Sequence, residues 1–246
     1  SLIDLPINGK SVPALVQGTK RGQVFLLDRR DGTLLSPVEE RKVPQGAAAG
    51  DFLSPTQPFT TEMPSFDNTV LTEDSMWGLT PVDTLWCRIK FRQARYEGPF
   101  TPHGTKSSNT YPDFLGGINW GGVSLDPENK LMIVNWSRMP NYTLLVPRTD
   151  ANNMGLEISK DGGQHVGQPV AQMGTPFAAL TAAFLSPLGV PCMEPPFGKI
   201  TVVDLVKRKV VWEKPLGTSA DSGPFNIPTG LPLPMGMPNS GGTLTT

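Results

Sequence analysis

Lys20 stands in the turn Gly18-Thr19-Lys20-Arg21-Gly22, and an ammonium fixed at such a tip would stabilise oxygens that gain negative charge during a reaction. By spacing alone the plainer reading, a solvated lysine beside Arg21, is favoured. Asn119, in Gly116-Gly117-Ile118-Asn119-Trp120, carries an amide that can donate to one oxygen while accepting from a neighbour. Trp120 reads equally as the wall of a pocket or as a core aromatic. The two glycines suit a close backbone approach or a bulge.

Other chemistries find less support. The two histidines, His103 and His165, sit in Gly- and Pro-rich loops with no second ligand at metal spacing, which argues against zinc and against a Ser-His-Asp triad. The sequence around Lys20 lacks the length and the Ser or Thr of a phosphate loop, and no GxGxxG opens a helix, which argues against a nucleotide site. Cys87 and Cys192 are far apart without CxxC spacing; their pairing is open, and two buried free thiols are expected. Asp28 and Asp204 read as turn acids that accept backbone hydrogen bonds, and neither they nor Asp4 is expected to act as a general base.

The elements that position these residues are mostly strands. In 246 residues, 26 Gly and 26 Pro argue against a helical bundle and for a loop-rich β protein. The net charge of −1 leaves no electrostatic footprint for nucleic acid or an anionic membrane. The longest apolar stretch, Pro176 to Met193, is broken by Ser186, Pro187, Gly189 and Pro191 and falls short of the roughly 20 residues a bilayer requires. Strands are expected at 12–17, 23–27, 84–91, 117–124, 131–136 and 142–147, with a hairpin at 199–213. Excursions are expected at 36–72 and 148–174. With no leader at Ser1 and an apparent strand start at Thr246, the chain is expected to be a fragment of a longer protein.

A repeated unit organises the strands. QVFLLDRRDGTLL at 23–35 and ITVVDLVKRKVVW at 200–212 each run from an apolar strand to an Asp, a polar turn and a second strand. Lone hairpins cannot bury their apolar faces, so such units stack, as in propeller blades. The second unit resembles the A-x-D-x-x-T-G-K-x-x-W repeat of pyrroloquinoline quinone (PQQ) dehydrogenase propellers, with Val202, Asp204, Lys209 and Trp212 in register and Lys207-Arg208 in place of Thr-Gly. The segments 19–32, 75–102, 114–127, 184–205 and 231–244 further resemble the membrane-bound quinoprotein glucose dehydrogenases, with the quinate and shikimate dehydrogenases close behind.

That resemblance implies an all-β fold in which residues 1–246 form part of an eight-bladed propeller, about three to four blades. It implies PQQ as cofactor, with Lys20 as the catalytic residue donating to the quinone oxygens, Asn119 as a further contact and Trp120 walling the pocket. It places the ligands of a calcium or magnesium ion, and the general base, upstream of Ser1. It implies oxidation of glucose to gluconolactone, with quinate, shikimate or another polyol as alternatives. Electrons would pass to ubiquinone on the periplasmic side of the bacterial inner membrane, with a missing N-terminal anchor as the membrane attachment. The isolated fragment is then expected to be inactive. A reading from another class is a non-catalytic propeller that binds protein, in which Lys20 and Asn119 need not converge.

Overall fold

The structure is a computed structural model and describes residues 1–66, 69–112, 116–119, 121–156, 170–171 and 174–246. A three-stranded antiparallel meander opens the chain: β1 (Leu2–Ile7), β2 (Lys10–Gly18) and β3 (Val24–Asp28). Strands β2 and β3 match the expected 12–17 and 23–27. Strand β1 was not expected, although its signal is present: Ile3 and Leu5 alternate inward, and Asn8-Gly9, both at positive φ, is the preferred two-residue hairpin turn.

Within the excursion at 36–72, β4 (Val38–Lys42) pairs with β5 (Thr56–Thr60) as a separate two-stranded ribbon. The expected strand at 84–91 is instead a helix, α1 (Pro81–Gln93). Its start explains the correction. The Thr80 hydroxyl accepts from the Asp83 amide at 3.2 Å, Asp83 accepts from the Leu79 amide at 3.1 Å, and Pro81 occupies the first turn, where no backbone donor is missed. Lys90 and Arg92 then suit the negative end of the helix dipole.

Two further four-stranded sheets interleave along the chain. One runs β7 (Ser124–Asp126), β8 (Leu131–Ser137), β12 (Gly198–Asp204) and β13 (Lys209–Pro215) in spatial order. The other contains β6 (Ser108–Thr110), β9 (Asn141–Pro147), β11 (Phe177–Ala183) and β10 (Val170–Ala171), in the order β10-β11-β9-β6. The strand expected over 117–124 shrinks to β7, because Gly116 and Gly122 at positive φ turn the preceding residues into a loop. A short helix, α2 (Arg148–Asn153), opens the excursion at 148–174. His165 and most of that excursion lie outside the described residues.

The first sheet and the β7-β8-β12-β13 sheet share one core. Ile3, Leu5, Val16, Val24 and Leu26 pack with Met132, Val134, Val203 and Leu205, joined by Phe66 and Ile118. Each such side chain contributes about 1.5–3 kcal/mol by leaving water. A second core holds α1 against the segment 184–193: Leu71, Met76, Tyr111, Phe184 and Met193 surround Cys87 and Cys192. Those cysteines form a disulfide, with Cα atoms 5.4 Å apart across 105 residues of sequence, so the expectation of two free thiols is corrected. Sequence separation carries no information about distance, and the helical turn that presents Cys87 inward was hidden by the strand reading.

Among the described residues the acid-turn unit occurs three times. Asp28 Oδ1 accepts from the Arg30 amide at 2.9 Å, Asp126 Oδ1 from Glu128 and Asn129 at 3.0 Å, and Asp204 Oδ1 from Val206 at 3.0 Å and Lys207 at 2.8 Å. Four residues after each Asp the backbone takes positive φ, at Gly32, Lys130 and Arg208. The Lys207-Arg208 departure therefore keeps the turn, at the cost of a left-handed non-glycine residue. Arg208 is anchored by donating to Glu62 and, at 2.8 Å, to the Leu35 carbonyl. Trp212 stands on the outer strand β13, which is exposed along its length.

The Arg30 side chain and amide lower the Asp28 pKa to about 2. Since the folded value lies below the unfolded one near 4, this carboxylate adds stability that is present above about pH 4 and lost as pH falls through about 2. Chemical denaturation followed from pH 5 to pH 2 should show that loss, and Asp28→Asn should flatten it. A second outcome concerns the disulfide: replacing Cys87 and Cys192 together by Ser should lower unfolding free energy by about 2–5 kcal/mol under oxidising conditions, measured by urea titration.

Candidate functional site

The Lys20 turn is held by hydrogen bonds at both ends. Gly22 N donates to the Thr19 carbonyl at 2.9 Å, while Thr19 N and Oγ1 both donate to the Gln23 carbonyl, at 2.9 and 3.0 Å. Buried Gln23 then ties the turn to the excursion, accepting from Thr60 N at 2.9 Å and donating to Ser65 Oγ at 2.8 Å. Phe66 N closes on the Gly22 carbonyl at 2.9 Å. Lys20 itself is exposed at the tip.

The loop that carries Asn119 is clamped to this turn. Gly117 N donates to the Lys20 carbonyl at 2.8 Å, and the Gly117 carbonyl accepts from Ser137 N at 2.9 Å at the end of β8. Gly116 sits at φ +88° so close that a Cβ there would lie 2.7 Å from the Lys20 carbonyl oxygen and 2.8 Å from its Cβ. Ile118 is buried over Gly18. Asn119 is half-buried, and its carbonyl accepts from Gly122 N at 2.9 Å. Two loops about a hundred residues apart in sequence are thus one structural unit. Trp120 lies outside the described residues.

Sequence reasoning missed what holds this unit from the other side. The final segment of the chain lies along β7 and β8: Thr243 Oγ1 donates to the Ile133 carbonyl at 2.8 Å and accepts from Ser124 N at 3.0 Å. Asn135 Nδ2 donates to the Gly241 carbonyl at 2.6 Å and to the Asn239 side chain. Gly121 and Gly242 touch so closely that a Cβ on Gly121 would lie 2.5 Å from Gly242 N. The run of small residues after Pro238 was the available signal for such a close crossing.

The remaining candidates fall elsewhere. Asp28 and Asp204 are occupied in their turns, and Asp4 pairs with Arg29 at 3.3 Å on the surface. His103 Nδ1 lies 2.9 Å from Ser108 Oγ and Nε2 lies 3.4 Å from Thr110 Oγ1, and burial pushes its pKa down, so it is neutral at physiological pH. Among the described residues no group of three His, Cys, Asp or Glu is placed to hold a metal ion.

Comparison with known proteins gives the family. The family model for PQQ, the glucose/ethanol/alcohol dehydrogenase β-propeller domain, matches residues 1–246. The glycerol dehydrogenase large subunit of Gluconobacter oxydans is 45% identical over 256 residues, covering 100% of this chain and 34% of that protein. The quinoprotein glucose dehydrogenase of Escherichia coli is 43% identical, covering 100% of this chain and 31% of its own length. The quinate/shikimate dehydrogenase (quinone) of Acinetobacter baylyi is 42% identical, covering 100% and 30%. A solved quinohemoprotein alcohol dehydrogenase from Comamonas testosteroni aligns with a TM-score of 0.41 at 20% identity, over 86% of this chain and 23% of that one. The chain belongs to the PQQ-dependent dehydrogenase β-propeller family. It spans about a third of the length of the relatives it matches.

Because Gly116 has positive φ and no room for a side chain, Gly116→Ala should separate the two loops. A loss of about 1–2 kcal/mol from backbone strain, plus the displacement of Lys20, is expected as a lowered Tm in thermal unfolding.

Proposed function

We propose that this chain is part of a PQQ-dependent dehydrogenase that oxidises a hydroxyl group of a sugar or polyol, with Lys20 as the catalytic residue and Asn119 and Trp120 as further contacts to the cofactor. The carrying observation is the hydrogen bond from Gly117 N to the Lys20 carbonyl, which holds the backbone of an exposed lysine against the loop that carries an amide side chain. The donor set fits an ortho-quinone, whose two adjacent oxygens need donors. When bound, PQQ supplies the two-electron acceptor for alcohol oxidation. The chain's part is electrostatic: the Lys20 ammonium stabilises negative charge on an oxygen, and the Asn119 amide donates a second hydrogen bond. A protein-binding propeller would need no such clamp between the two loops.

Glucose is the substrate we place first, giving gluconolactone, with quinate, shikimate and glycerol as the alternatives that the relatives' names bring. The acceptor proposed is ubiquinone, in keeping with the word quinone in the name of the Acinetobacter baylyi relative. Calcium or magnesium would be held by residues outside this chain. We place the protein on the periplasmic side of the inner membrane, and the Cys87–Cys192 disulfide supports an oxidising compartment. No helix among the described residues is long and apolar enough to cross a membrane. Residues 1–246 are proposed as one partial propeller unit, with 36–72 and 148–174 as its insertions.

Dye-linked oxidation by the full-length protein, titrated with PQQ and calcium, tests this reading against glucose, quinate and glycerol. Wild type should turn over one of them only with PQQ, and Lys20→Ala should lose about 10²–10³ in kcat. Equal turnover by Lys20→Ala, or no PQQ-dependent oxidation of any of the three, would overturn it.

A further inference from the structure

Gln23 closes the turn that carries Lys20. Its carbonyl accepts from Thr19 N and Oγ1, at 2.9 and 3.0 Å, and its own N donates to Thr19 Oγ1 at 3.2 Å. The side chain leaves the turn in another direction. Gln23 stands just before β3, only 4% exposed, between the buried residues Gly22 and Val24. Packing alone at such a place is served by an apolar side chain, as at Val24, whereas a buried amide costs stability unless it is bonded. Both ends of this amide are bonded. Oε1 accepts from Thr60 N at 2.9 Å and Nε2 donates to Ser65 Oγ at 2.8 Å.

Those two partners belong to one stretch of chain. Thr60 ends β5 and Ser65 follows it, 37 and 42 residues after Gln23, so a single side chain joins the excursion at 36–72 to the turn. Phe66 N, next to Ser65, reinforces the join by donating to the Gly22 carbonyl at 2.9 Å. The turn is therefore gripped twice. Gly117 N holds it at the Lys20 carbonyl, and the excursion holds it two and three residues further on. Lys20 is exposed at the tip, so the position of its ammonium depends on where these grips put its backbone. A misplacement of about 1 Å in a reacting group can cost about a hundredfold in rate.

We infer that Gln23 is a positioning residue for the reaction: its side-chain amide, by tying the turn to the excursion, sets where the Lys20 ammonium stands. The inference rests on the role proposed for Lys20.

The test is dye-linked turnover by the full-length protein with PQQ and calcium, on whichever of glucose, quinate and glycerol it oxidises best. Gln23→Met keeps the length of the side chain and removes both bonds. It should lower kcat about tenfold or more with KM near wild type. Ser65→Ala removes one of the two bonds and should lose less, while Ser65→Thr keeps the hydroxyl and should behave as wild type. In the double variant Gln23→Met/Lys20→Ala, kcat should equal that of Lys20→Ala alone, because no ammonium is left to misplace. Asp28→Asn, which loosens the far end of β3, should lower Tm with kcat kept, separating lost stability from lost position. Wild-type kcat in both Gln23→Met and Ser65→Ala would overturn the inference. So would losses that multiply in the double variant, or an equal loss of kcat in Asp28→Asn, and in either case the role of Lys20 would stand. Wild-type turnover by Lys20→Ala would remove that role and this inference with it. Should Gln23→Met fail to fold, Ser65→Ala and its double variant with Lys20→Ala give the same comparison.

Discussion

One backbone hydrogen bond, from Gly117 N to the Lys20 carbonyl, joins the two loops that carry Lys20 and Asn119. It is possible only because Gly116 has no side chain: the space a Cβ would fill is already taken by Lys20. Everything around it serves to hold two strand ends at that separation. Gln23 braces the Lys20 turn against the excursion, Ser137 braces Gly117 from β8, and the final segment of the chain crosses at Gly121. An ammonium on a lysine is flexible, but its backbone here is held from both sides. That limits the volume the charge explores, which is what the role proposed for Lys20 requires.

The scaffold under this contact is repetitive, and its repetition has a physical basis. Each Asp of the three acid turns meets backbone amides that the reversing chain would leave unbonded, and the lowered pKa values follow from those bonds: for Asp28 the Arg30 side chain first, for Asp126 the Asn129 side chain first, and for Asp204 the Lys207 amide first. The positive φ four residues later is a property of the turn and not of the residue, since Gly, Lys and Arg all adopt it. The resulting hairpins bury their apolar faces against each other in one shared core.

The outer layer follows different rules. Helix α1, the β4-β5 ribbon and the β10-β11-β9-β6 sheet lie outside that repeat, and the disulfide ties α1 to the segment that follows β11. Segments of this kind form a cavity beside Arg21, whose walls come from the ribbon, from 98–111 and from the Lys20 turn. A repeated scaffold thus carries the Lys20 turn, while non-repeated segments shape the space next to it.

What could be read from the sequence was local. Alternating apolar residues marked β2, β3, β8, β9, β12 and β13, and the Asp-and-turn repeat marked the hairpins, because each depends on residues a few positions apart. Helix α1 was misread for the opposite reason: its apolar run fits either period, and the Thr80-Pro81-Asp83 cap that decides between them is a weaker signal than the run itself. Tertiary structure alone decided that Gly117 bonds Lys20, that Cys87 meets Cys192 across 105 residues, and that the Gln23 amide bonds Thr60 and Ser65. Those facts depend on which strands become neighbours, and chain separation holds no record of distance once a sheet has folded back on itself.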